Sequence, residues 1–323
     1  MEKLPVQPGV VCHVLRHSRT VLLILVLAAV STPAAQPDSS TTRQQEVDLK
    51  RLGYVGVGAA GLHWYGFRQL EKNWWQGEKV PLRLVHDWSG DSYLNLDHAS
   101  HFMWGLFLAQ ATGDLYRWIG FSPRTAALLG SLSSIAEMFY VEYRDGRYGH
   151  WGFSTPDATA DVLGALVPLV HASVPATRVV RFKLSYFPSP LFRYGHVRQA
   201  GGHPYVLSFM DDYEGMTFWM VMDPRPLLPG HAAGRWPDWL GVAVGVGAQG
   251  LHGYGRTSRG PDRWDPDLPD AQREIYLSLD FDFAHSLGNF EVLRRFTPYF
   301  RLVRFPTPAL RIHPTPTLYL LYF

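Results

Sequence analysis

Two incompatible hydrophobic periods divide this chain. From Asp97 to Val170 apolar and small residues recur at helical spacing, with Gly105, Ala109 and Gly113, and again Gly130 and Ser134, four residues apart. From Ile275 to Phe283 the pattern is strict alternation: Ile275, Leu277, Leu279, Phe281 and Phe283 against Tyr276, Ser278, Asp280 and Asp282. One kind of element cannot present both patterns on a single face. The chain therefore reads as α+β with segregated elements: a helical bundle over 50–177, then a β-rich, mostly antiparallel region over 178–323.

Four helices are expected. The first covers 52–67, continues into Arg68 to Trp75, and should meet a membrane interface at that aromatic end. The second runs from Asp97 to Ile119 behind an Asn95 N-cap. The third runs from Pro123 to Tyr143, and the fourth starts at Ser154 or Thr155, with Pro156 in its first turn and a kink at Pro168. Their small residues let neighbouring backbones approach closely. None is a clean uncharged span, so a bundle lying in or against a membrane and a multi-pass one remain level. Strands are expected at Phe182–Phe187, Tyr205–Met210, Met216–Met222, Leu240–Gly250, 272–283, Pro298–Phe305 and Thr317–Phe323. The glycine-alternating run Gly241 to Ala248 should pack closely against a helix or a second sheet, and it lacks the pattern of a dinucleotide-binding turn. Phe323 after Tyr319 and Tyr322 resembles the end of an outer-membrane barrel. The strands are short for a pore, which favours a small open or partly closed sheet docked on the helices.

Charged residues make up 18% of the chain and aromatics 14%, so large rings cover surface that charges normally cover. Membrane lipid is the partner this suggests. The net charge of +2 offers no field for nucleic acid, and no protein partner is named by the sequence. At the amino terminus Arg16, His17 and Arg19 precede an apolar run from Val21 to Val30 and then Ser31-Thr32-Pro33-Ala34-Ala35. That order is a secretory signal peptide over 1–35, followed by a polar, flexible tether over 36–49; an uncleaved anchor is the alternative. The only cysteine, Cys12, precedes the apolar run, so cleavage would leave no thiol for a disulfide or a lipid. The expected location is the cell envelope, periplasmic or at the outer membrane.

Charges in apolar helices mark the candidate site. Asp97 and His101 are four apart, His98 is three from His101, and Glu137 is bracketed by Ile135, Ala136, Met138 and Phe139. Asp157 and Asp161 are again four apart and lead into Gly164. A charge on an apolar face costs several kcal/mol unless paired, so Asp97, His101, Glu137, Asp157 and Asp161 should converge on one polar pocket. Three uses stay open. The cluster can fix helix register as a buried network, or hold a divalent metal through Asp97, His98, His101, Glu137 and Asp161. It can also serve acid/base or metal-assisted chemistry in a hydrolase or transferase acting on a lipid or cell-wall precursor, so whether the chain is an enzyme is not decided. Asp157 alone is also explained as a first-turn charge at a helix dipole. The basic residues Arg294, Arg295, Arg301, Arg304 and Arg311 read as a solvated strand face or as contacts to lipid phosphates.

Asp97-His98-Ala99-Ser100-His101, Glu137, Trp151 to Asp157 and Asp161-Val162-Leu163-Gly164 resemble the YfiM-like family of predicted envelope proteins. The likeness extends to Phe182–Tyr186, Tyr213–Trp219, Ile275–Asp280 and Pro306–Phe323. It implies an exported envelope protein, often a lipoprotein, with no established activity. The helical part also resembles VanZ-like membrane proteins. His98 stands where both families usually carry Lys, and Asp161 where Asn is usual. Those departures remove a cation and add an anion, which favours metal binding here.

Overall fold

In the computed structural model the described residues are 46–323 apart from 90–92, 150, 190–198, 201–202, 205–208, 252–270, 284–289, 291–292 and 294–295. The signal peptide, most of the tether, Arg294 and Arg295 lie outside them. The end of the tether is ordered: the Asp48 carboxylate accepts from the backbone N–H groups of Lys50 and Arg51 and caps helix α1, Leu49–Asn73. Helices α2 (Leu96–Ile119), α3 (Pro123–Asp145) and α4 (Thr155–Ser173) follow. Ser122 and Ser154 cap α3 and α4 with their hydroxyls, each followed by a proline in the first turn, and α4 continues through Pro168.

The glycine spacing does its expected work in α2, α3 and α4. A Cβ on Gly105 would collide with the Asp161 carbonyl, and one on Gly164 with that of Phe102. Ser131 and Ser134 donate across the same contacts to the carbonyls of Ala165 and Gly105, at 2.7 and 2.8 Å. Among the described residues no helix is long and apolar enough to cross a membrane. The aromatic end of α1 also turns inward: Trp75 is buried and its indole donates to Asp145 at 2.6 Å, while Trp74 stacks on Trp151. This corrects the expectation of an interfacial anchor there. A two-residue parallel pair, β1 (Leu84–Val85) with β2 (Phe153–Ser154), ties the α1–α2 connector to the start of α4.

The carboxy-terminal half is an antiparallel meander of β3 (Val180–Tyr186), β4 (Met216–Met222), β5 (Leu240–Gln249), β6 (Gln272–Phe281), β7 (Thr307–His313) and β8 (Thr317–Tyr322), in the order β8-β7-β6-β5-β4-β3. One expected strand is corrected, and another lies mostly outside the described residues. Pro298–Phe305 begins as a helical turn, Thr297–Phe300, because Pro298 suits a first turn and cannot donate to a ladder. Tyr205–Met210 is described only at its end, where Phe209–Asp211 forms a 3-10 turn.

This sheet curls. The Tyr322 hydroxyl on β8 lies 2.9 Å from the Thr217 hydroxyl on β4, although β7, β6 and β5 stand between those strands in the ladder order. Residues 302–304 run beside β3, with Leu184 N–H donating to Leu302 and Arg304 N–H to Leu184. Inside the curl Lys183 on β3 pairs with Asp280 on β6 at 2.7 Å, both fully buried. Trp219 lies over Gly245, its partner in register, where a Cβ would meet the indole at 2.6 Å. The glycine run thus makes room for an indole from the neighbouring strand on its inner face, while Val246 and Ala248 on its other face pack against α2 as expected. Arg304 is buried with its guanidinium 3.8 Å from the Trp219 ring centroid, and Arg311 pairs with Glu274 at 2.6 Å. For these two arginines the expected solvated face is corrected, because the curl turns that side inward. Outside the curl, Met216, Phe218 and Ala248 pack with Leu96, Met103 and Leu106 of α2 in one core.

Candidate functional site

Three helices bring acids and imidazoles together. Asp97, His98 and His101 lie on the first two turns of α2, entered through Tyr93, Leu94 and Asn95 with positive φ angles of 46°, 55° and 66°. Asn95 makes no side-chain cap; instead the Asp97 carboxylate accepts from His98 N–H at 2.9 Å. Three successive side-chain-bearing residues in this region cost roughly 1–3 kcal/mol each and must be held from outside. The sheet holds them: Arg273 at the start of β6 donates to the Leu94 carbonyl at 2.8 Å, and Tyr93 packs on Tyr213 with ring centroids 4.4 Å apart.

His98 Nδ1 lies 2.5 Å from Asp157 and 3.5 Å from Asp97. His101 Nδ1 lies 3.1 Å from Asp161 and 3.6 Å from Glu142. Glu142, fully buried on α3, also accepts from Ser154 N–H at 2.9 Å, so the residue that caps α4 orients a carboxylate of the cluster. The Ser154 hydroxyl in turn donates to Asp87 at 3.0 Å.

Four of the five expected members meet here: Asp97, His101, Asp157 and Asp161. Glu137 does not. It lies on the flank of α3 and pairs with His63 of α1 at 3.0 Å, both partly exposed. The sequence signal for the true member was the small-residue stripe itself, since Gly130 and Ser134 continue in four-residue steps through Met138 to Glu142.

The electrostatics are those of an interior with too many acids. Burial raises Glu142 to about 9 and, with the nearby Asp157 charge, Asp97 to about 6. Burial also raises Asp161, against the lowering effect of His101. Asp157 is lowered, because His101 and His98 outweigh its burial. Burial alone would lower both histidines, yet the surrounding carboxylates hold His98 above its ordinary value and His101 well above it. Next to the cluster, burial pushes Asp145 up to about 7 despite its bond from Trp75.

Two trios have metal-competent geometry: Asp97, His98 and Asp157, and His101, Glu142 and Asp157, with one ligand atom from each residue of a trio within 4.8 Å of the others. Asp157 belongs to both. Of the expected ligands Asp97, His98, His101, Glu137 and Asp161, the trios contain Asp97, His98 and His101, and they bring in Glu142 and Asp157. Asp161 instead bonds to the ring of His101. His98 Nε2 is buried without a hydrogen-bond partner among the described residues.

Fold and site together define an α+β protein that keeps an anionic, imidazole-bearing cluster inside its helical part. Residues 87–172 match the family described as predicted periplasmic lipoprotein (DUF2279), about a quarter of the chain. The match contains every member of the cluster and ends before the sheet, so the likeness read in the carboxy-terminal segments lies beyond it, and it does not single out YfiM-like or VanZ-like proteins. Its description agrees with the exported, envelope location read from the amino terminus. No curated protein and no solved structure matches the chain.

Proposed function

We propose that this is an exported envelope protein, organised as a helical region over 50–177 and a β-rich region over 178–323, whose helical region holds a divalent metal centre built around Asp157. The observation that carries the reading is the geometry of the cluster: two buried His/carboxylate trios share Asp157, and each places one ligand atom per residue within 4.8 Å of the others. Two imidazoles with hard carboxylate oxygens suit zinc, manganese or iron better than calcium. The centre would join α2, α3 and α4, and bound metal would stabilise the fold by about 2.7 kcal/mol at a hundredfold excess over Kd. The reading is of metal binding and assigns no reaction.

The test is elemental analysis of the purified full chain, with thermal melts before and after chelation and after zinc or manganese is returned. One or two equivalents of metal and a chelator-sensitive melt that readdition restores are expected. Metal-free protein whose melt ignores both chelator and added ions would overturn the proposal.

A further inference from the structure

In water an antiparallel sheet with one solvated face puts its apolar residues inward. Here both faces carry apolar groups. The inside of the curl sets Lys183, Asp280, Arg304 and Glu274 among Trp219, Val221, Tyr276 and Ala309, and one registered row on the outside reads Phe182, Met220, Val244, Leu277, Leu310 and Leu318 across all six strands. The row is covered at its first end, where Phe182 meets Phe102 of α2 edge-on at 4.7 Å. It then emerges: Met220 is 50% exposed, Leu277 44% and Leu318 67%, with Leu320 beside them at 76%.

The two ends of the strands differ in kind. Where β5 begins, β6 ends and β7 begins, aromatic rings touch in succession: Trp239 on Phe281, Phe281 on Phe283, Phe283 on Phe305, and Phe305 on Phe300. At the opposite end stand Arg273 and His313, both exposed. An apolar band bordered by a ring of aromatics is the surface that fits a bilayer interface, since large rings settle at headgroup level.

We infer that the outer face of β6, β7 and β8 rests in one leaflet of a lipid bilayer, with the Trp239–Phe300 aromatic chain at headgroup level. From Ile275 to Phe281 the band measures roughly 20 Å along the strand, at about 3.3 Å per residue. That is short of the ~25 Å band of spanning barrels, so the sheet rests in the membrane without crossing it. A second copy adding to the edge strand β8 would cover Leu318 and Leu320 but leaves the aromatic end and the row back to Met220 without a purpose.

The test uses the full chain with Cys12→Ser and single cysteines carrying an environment-sensitive fluorophore, at Leu320→Cys and Leu310→Cys on the face and at His313→Cys at the polar end. All three positions are exposed, and unchanged melting temperatures confirm the fold. With phosphatidylethanolamine/phosphatidylglycerol vesicles containing doxyl-labelled lipid, quenching at the two face positions is expected to exceed that at His313→Cys at least threefold. Vesicle binding with equally weak quenching at all three positions would mean attachment through another part of the chain and would overturn the inference. So would unquenched face labels that self-quench with rising protein concentration, the signature of a second copy on this surface.

Discussion

Both halves of the molecule bury charge, and they balance it differently. Inside the sheet Lys183 faces Asp280, Arg181 faces Asp282 and Arg311 faces Glu274, with Arg304 resting on Trp219. Inside the helices Asp97, Glu142, Asp157 and Asp161 have, among the described residues, only His98 and His101 paired with them. A self-neutralised interior has what it needs and reads as architecture. An interior short of positive charge reads as a site, because its missing cation must come from solution or from protons.

The comparison breaks most visibly at Lys183. Lys183→Met leaves Asp280 buried without its cation and is expected to cost about 3–5 kcal/mol in denaturant unfolding, equally with and without chelator. Lys183→Met combined with Asp280→Leu should recover most of that loss. A loss that depends on metal would erase the distinction between the two interiors.

A pH series on chelated protein sharpens the other side. The Asp145 carboxyl has a folded value of about 7 against an ordinary 3.8. A raised folded value means that protonation favours the fold. Its contribution is complete below about pH 4 and is lost as pH climbs through 7, a fall of about 2–4 kcal/mol. Asp145→Asn should flatten that part of the profile, and an unchanged slope would refute the assignment.

Smaller effects follow from packing and ligation. Gly164→Ala drives a Cβ into the Phe102 carbonyl and should cost about 1–3 kcal/mol. Its metal affinity should also fall, since Asp157 and Asp161 share that helix. Glu142→Gln keeps the bond from Ser154 while removing a carboxyl group that ionises on binding metal. It is expected to weaken metal binding about tenfold in titration calorimetry, or about 1.4 kcal/mol, with little change in the chelated melt.

What the sequence disclosed follows from the range of its signals. Alternation from Ile275 to Phe281 and the four-residue spacing at Gly105 and Gly130 are properties of single elements, and they were legible. The i, i+4 pairs Asp97/His101 and Asp157/Asp161 were legible for the same reason. Choosing Glu142 over Glu137 requires knowing which flank of α3 meets His101, a fact about three helices at once. Burial of Arg304 depends on a curl that brings β8 back toward β4, and no local pattern records that. Strand β7 went unseen because Pro306 and Pro314 flank it and Pro308 lies within it, yet Pro308 falls at a position with no registered partner on either neighbouring strand, so its missing N–H costs the ladder nothing.

The left-handed entry into α2 carries one more consequence. Leu94 is gripped by Arg273, 179 positions further along the chain, so the starting point of the helix that presents Asp97 and His98 is set by the far half of the molecule. Excising the helices as a minimal fragment would keep all the metal-competent side chains and discard the brace that aims two of them.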